Sequence, residues 1–244
     1  MRLYIETRIR ADLDLLWERT QQPAQHQRWD LRFTEIDYLP RAEGEPQHFR
    51  YTTRLLPFLA VSGTGVAAGE RHRPDGARTS ALRFSSPHPL SLIEEGSGYW
   101  KYVPDGEGVR FLTGYDYRPR WGWFGAIADR LVFRPLMGWA TAWSFDRLRL
   151  WCERGITPAR SLAHALAETA VRLAAVTAVL WDGGRLMIPL LARLFPFLGY
   201  GAPLIGLVLL PLALFLPPLP GTPAARRCLR APALPRLTPL EPLS

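Results

Sequence analysis

Glu94 and Glu95 stand side by side in "LSLIEEGSGYWKYV" and are the residues best placed by type for acid–base work. Neighbours on a strand point to opposite faces, so the two cannot form a facing pair unless a bulge intervenes. Glu94 shares parity with Trp100, which makes it the candidate inward base; the alternative is an edge carboxylate in water. Asp116 points outward if Tyr115 points inward. The five histidines, His26, His48, His72, His88 and His164, do not pair at metal-ligand or triad spacing, and His88, between prolines in "SSPHPLS", marks a loop. GxSxG, HExxH and phosphate-loop patterns are absent from the sequence, and "GTG" at 63–65 lacks the further glycines of a nucleotide fingerprint. Cys152 and Cys228 lie far apart in segments of different character. No metal, cofactor or disulfide framework is expected.

The elements that must position such groups follow from periodicity. "RLYIETRIRA" alternates with Leu3, Ile5, Thr7 and Ile9 on one face, a half-buried strand. Asp12 is a plausible N-cap for a helix carrying Leu13, Leu16 and Trp17, and Pro23 ends that helix and starts a second, ending near Trp29. Then come "RFTEIDYLP", "HFRYTTRLL", the Gly-rich "VSGTGVAAGERH", "RTSALRFSS", "LSLIEEGSGYWKYV" and "GVRFLTGYDYRP". Turn chemistry at "RPDGAR" and "PDGEG" joins them into an antiparallel sheet. The glycines of the third run predict a bent or closely approached strand. "WFGAIADRLVFRPLMGWATAWSFDRLRLWCERG" then switches to helical period, kinked at Pro135 and stopped by Gly155. On parity, Tyr51, Phe84, Phe111, Tyr115 and Tyr117 share the inward face with Trp139 and Trp143. They either line a cavity or fill a solid core.

Strand, two short helices, a run of antiparallel strands and a long helix form an order that resembles the START-like superfamily, in particular the SRPBCC and polyketide cyclase/dehydrase-like group. The residues that carry the resemblance are "IETRIRADLDLLWERTQQPAQHQRWD", "EEGSGYWKYVPDGEGVRFLTGYDYRP" and "RPLMGWATAWSFDRLRLWCERG", within residues 1–155. The resemblance implies an α+β helix-grip fold, a curved antiparallel sheet around the long helix, with an apolar cavity for a hydrophobic small molecule or lipid. Some relatives are enzymes and many only bind or carry. Three functions stay open: carriage of an apolar ligand, a cyclase/dehydrase-like reaction with an inward carboxylate such as Glu94, or a regulatory module with a collapsed cavity.

Residues 156–161 are expected as a linker, 162–220 as a hydrophobic helical segment and candidate transmembrane hairpin, and 221–244 as a basic, Pro-rich, unstructured tail. "LAHALAETAVRLAAVTAVLW" is long enough to span a bilayer but carries Glu168 and Arg172, four apart on one face. "DGGR" at 182–185 reads as a turn, with an interfacial piece near 186–198 and a span near 201–217. Between Arg193 and Arg226 there is no charged residue. The tail arginines favour the cytoplasm by the positive-inside rule. The first residues lack an apolar signal core, so the first domain is expected on the same side as the tail. The net charge of +8 could suit nucleic acid, but it comes from scattered arginines with Lys101 the one lysine. A membrane partner is expected and nucleic acid is not.

Overall fold

The structure, a computed structural model, describes residues 3–56, 58–191, 208 and 210–232. Seven antiparallel strands form one sheet in the order β1-β7-β6-β5-β4-β3-β2. They are β1 (Leu3–Ile9), β2 (Glu35–Tyr38), β3 (His48–Leu56), β4 (Leu59–His72), β5 (Arg78–Ser85), β6 (Ile93–Asp105) and β7 (Gly108–Pro119). Between β1 and β2 lie α1 (Leu13–Gln21) and α2 (Pro23–Trp29). Asp12 caps α1 by accepting the Asp14 and Leu15 amides at 2.7 and 3.2 Å, and Pro23 sits in the first turn of α2, where its missing N–H costs no hydrogen bond.

Aromatics opposite glycines shape the sheet. Tyr51 pairs with Gly63 and Phe49 with Gly65 across β3 and β4. Phe84 faces Gly96, and Tyr115 faces Gly98. A Cβ at Gly63 or Gly65 would overlap the Tyr51 or Phe49 ring. The Gly-rich strand is therefore closely approached: its missing side chains make room for rings lying flat on the sheet.

Past β7 the chain forms α3 (Gly122–Ala128), one π turn over Asp129–Phe133, and α4 (Arg134–Arg154). The expected kink at Pro135 takes this form. Proline cannot donate into the helical ladder, and the widened turn, with the Arg134 amide reaching back to the Asp129 carbonyl, precedes it. Asp129 is buried and accepts from Tyr117 and from Arg134 through Nε and Nη2 at 3.0 and 2.6 Å, which ties the turn to β7. Gly155, at φ +64°, ends α4 with its amide on the Leu150 and Trp151 carbonyls. The core lies between the sheet and α4: Phe111 stacks on Phe145 with centroids 4.5 Å apart, and Ile5, Ile9, Leu16, Trp29, Tyr102 and Leu148 are fully buried. A curved seven-stranded antiparallel sheet wrapped on a long helix is the α+β helix-grip architecture.

The chain divides into two compact units, residues 1–158 with 224–244, and residues 159–223. Part of the basic tail is ordered, against the sequence expectation. Ala225–Arg227 form a 3-10 turn, and Leu229 bridges Glu6 through both amides at 2.9 and 2.8 Å. Asp146, fully buried on α4, accepts the Ala224 amide at 2.8 Å and pairs with Arg227 and Arg149 at 2.8 and 2.7 Å. The tail thus covers the free edge of β1, which would otherwise present unpaired backbone. Glu6 is buried beneath it although alternation puts it on the polar face, and Arg110 at 2.9 Å neutralises it.

In the second unit, α5 runs Pro158–Leu191. The expected linker shortens to three residues, and the turn expected at 182–185 is helical. Two glycines lower helix propensity by only about 1 kcal/mol each, too little to stop a helix with long apolar flanks. The pieces placed by sequence near 186–198 and 201–217 lie partly outside the described residues; backbone at 210–215 is helical. Arg172 pairs with Glu168 at 2.6 Å and donates to the carbonyls of Ala213, Leu216 and Pro217 at 3.0, 2.8 and 3.2 Å. Glu168 accepts the Leu219 amide at 3.1 Å. The pair so satisfies carbonyls that a helix end leaves open.

Candidate functional site

A cavity of about 1160 Å³ lies between the inner face of the sheet and α4. Its walls are mainly apolar. Phe49, Tyr51, Phe84, Trp100 and Tyr115 come from the strands, Phe33 from the segment after α2, and Met137, Trp139 and Ala140 from α4. Leu90, Trp121, Val132 and Leu136 also line it and are exposed, so the cavity reaches the surface beside α3 and the π turn. The glycines opposite the aromatics help to keep it open, since their rings lie against backbone rather than against other side chains.

Of the seven aromatics singled out from sequence, Tyr51, Phe84, Tyr115 and Trp139 line this cavity, and Phe111, Tyr117 and Trp143 do not. Phe111 is packed solid against Trp100, Tyr102 and Phe145. Tyr117 turns its hydroxyl to Asp129, and burial, reinforced by that carboxylate, raises its pKa. Trp143 stacks on Trp139 at 6.1 Å with the Arg147 guanidinium over its ring at 5.0 Å. Burial pushes the Tyr51 phenol up to about 12.

Glu94 is not an inward base. A bulge between Ile93 and Glu95 makes it the extra residue in the β6–β7 ladder, so its parity with Trp100 is lost. Its side chain is 41% exposed and bonded to Arg118 at 3.1 Å, and Glu95 reaches the same guanidinium at 3.2 Å. The bulge does bring the two carboxylates together, but on an arginine and outside the cavity. Among the described residues no cluster of three His, Cys, Asp or Glu could hold a metal.

The polar corner of the cavity comes from "HQRWDLRF". Asp30, with a side chain 0% exposed, accepts from His26 Nε2 at 3.0 Å and from Arg32 Nε and Nη2 at 2.9 and 2.6 Å. Burial alone would raise the Asp30 pKa; Arg32 and His26 outweigh it and hold the carboxyl well below the usual carboxylate range. Burial lowers the pKa of His26 against the pull of Asp30, so its imidazole is neutral at pH 7. Its Nε2–H then faces the carboxylate and Nδ1 is left as an acceptor. His26 and Arg32 both line the cavity; His26 is stacked on Trp29 at 5.0 Å and edge-on to Trp100 at 4.8 Å. Arg32 lies 5.6 Å from the Tyr115 ring centroid, and the Tyr115 hydroxyl is 3.0 Å from Thr141 Oγ1. These residues were not anticipated as a site. The signal was present: His and Asp four apart across the end of α2, with Arg two residues on.

No protein-family model matches the chain. A Bacillus subtilis (strain 168) protein, the uncharacterized membrane protein YndG, is 50% identical over 165 residues, which cover 67% of this chain and 62% of that protein. The chain thus spans less than two thirds of the length of this curated relative. Among similar solved structures, a STAR-related lipid transfer protein from Xanthomonas axonopodis has a TM-score of 0.46 at 20% identity, covering 61% of this chain and 83% of that one. The di-domain ARO/CYC StfQ from the steffimycin biosynthetic pathway has a TM-score of 0.48 at 14% identity, covering 62% and 50%. The Zhui aromatase/cyclase from Streptomyces sp. R1128 has a TM-score of 0.41 at 15% identity, covering 63% and 98%.

Proposed function

We propose that this protein is a membrane-held carrier that binds a hydrophobic small molecule or lipid in its helix-grip cavity. The observation that carries the reading is the cavity itself. At about 1160 Å³ it is not collapsed, and it exceeds the roughly 300–1,000 Å³ common for small-molecule pockets. The cyclase-like alternative loses its carboxylate, since Glu94 stands outside.

Three features support the membrane part. Pro158–Trp181 is a 24-residue helical stretch containing an 18-residue window of mean hydropathy 1.3 in which no residue is buried, and it makes about 36 Å of helix at 1.5 Å per residue against a hydrocarbon core of about 30 Å. Trp123, Phe124, Ile127 and Leu131 stand exposed on α3 and the π turn, beside the cavity mouth, and aromatic rings of this kind suit a bilayer interface. Finally, both ends of the 159–223 excursion are held by neighbouring residues of α4. Arg147 Nη2 binds the Pro158 carbonyl at 2.9 Å, and Asp146 binds the Ala224 amide. A segment that leaves and rejoins one domain on one side crosses a bilayer an even number of times. This favours a hairpin, with the first domain and the tail both cytoplasmic.

Native mass spectrometry of detergent-purified full-length protein tests the carriage. A co-purifying apolar molecule is expected; its absence over several preparations would overturn the reading. Reporters fused to both termini should lie on the cytoplasmic side, and protein released wholly by carbonate washing would end the membrane claim.

A further inference from the structure

The buried charges around the polar corner of the cavity do not cancel. Asp30 carries one negative charge. Arg32 and Arg147 carry two positive ones, and burial keeps His26 neutral. Arg147 is placed next to Asp30 by its bonds to the carbonyls of Arg28 and Trp29 at 3.3 and 3.2 Å. It is 6% exposed, and its Nε is buried without a partner. Asp146, the next residue, is already engaged by Arg149 and Arg227. Of these charges only Arg32 lines the cavity itself, and the other charged residues of the lining, Arg41, Glu45 and Glu70, are exposed. One positive charge is therefore in excess where solvation is poorest, and a buried charge without a counter-ion is costly.

The hydrogen-bond inventory has the same sense. A guanidinium has five N–H donors and no acceptor. Asp30 engages Arg32 through Nε and Nη2, which leaves Nη1 free of that carboxylate on a guanidinium whose Cζ lies 5.6 Å from the Tyr115 ring centroid in the cavity wall.

We propose that the cavity takes an amphipathic monocarboxylic acid, with its carboxylate against Arg32 and the Tyr115 hydroxyl and its apolar body along the aromatic wall formed by Trp100, Phe33 and Phe84. The proposal rests on the carriage reading and adds the chemistry of the head group. An acid of this class supplies the missing negative charge and accepts the spare Arg32 donors, with the Tyr115 hydroxyl turning to it from Thr141 Oγ1, to which it donates while Thr141 donates to the Met137 carbonyl. A neutral alcohol of equal length supplies the same apolar body without the charge.

The test compares oleic acid with oleyl alcohol on full-length, delipidated protein in detergent at neutral pH, read by tryptophan fluorescence. The acid is expected to bind at least about tenfold more tightly. Arg32→Gln should narrow that gap to near unity. Because Arg32 also holds Asp30, Tyr115→Phe is the second variant; it keeps the ion pair and should reduce acid affinity several-fold while leaving the alcohol unchanged. Equal or tighter binding of the alcohol overturns the head-group proposal and leaves carriage intact. Failure of both probes to bind overturns both.

Discussion

His26 is the residue whose environment makes the sharpest solution prediction. Burial lowers its pKa in the folded protein below the ordinary 6.5, although Asp30 pulls the other way. The unfolded chain therefore takes up a proton before the folded one does. Stability is fully present above the unfolded value and declines as pH falls through it, by up to about 1.4 kcal/mol per pH unit for this one proton. Replacing His26 with Gln should flatten the stability profile as pH falls below about 6.5 in chemical denaturation. An unchanged slope would show that His26 titrates alike in both states. Asp30 acts lower on the scale. Its folded pKa is depressed, so its contribution is present above the unfolded carboxylate value of about 3.9 and is lost as pH falls from there toward the folded value.

At the scale of elements, the glycines of β4 and the aromatics of β3 are one design feature. Gly65 directly faces Phe49, and a Cβ there would meet the ring. Gly65→Ala is expected to destabilise the protein by about 1–3 kcal/mol through overpacking. In a Phe49→Ala background much of that cost should vanish, so the double-mutant cycle measures a coupling. Additive effects in thermal unfolding would refute the pairing. The same reasoning explains why alternation alone misplaced Glu94: one extra residue at Ile93/Glu95 reverses which face the side chain sees.

At the scale of the whole molecule, the tail and the excursion depend on Asp146. Asp146→Ala removes the acceptor of Ala224 and Arg227 together, leaving buried donors unpaired at a cost of about 3 kcal/mol or more. The tail should then detach, and trypsin should cleave after Arg226, Arg227 and Arg230 several-fold faster; wild-type cleavage rates would refute the latch. A second prediction concerns delivery. Converting Trp123 and Phe124, 77% and 59% exposed, to Ser should slow ligand uptake from vesicles while leaving equilibrium affinity in detergent unchanged. Equal uptake rates would remove these rings from the membrane step.

The sequence by itself determined the α+β class, the strand and helix order, the turns at Gly76 and Gly106, and the helix stop at Gly155, because period, caps and left-handed glycines are local properties. It also marked the apolar C-terminal third, because hydropathy is additive along the chain. Tertiary structure alone decided which inward aromatics line a cavity and which fill the core: Phe111 and Tyr115 share parity, and only their partners across the sheet separate them. Tertiary structure also placed Glu94 outside and ordered the tail on Asp146. It gathered His26, Asp30 and Arg32 into the polar corner as well. A bulge, a returning strand and a desolvated ion pair depend on residues distant in the chain, and local periodicity does not encode them.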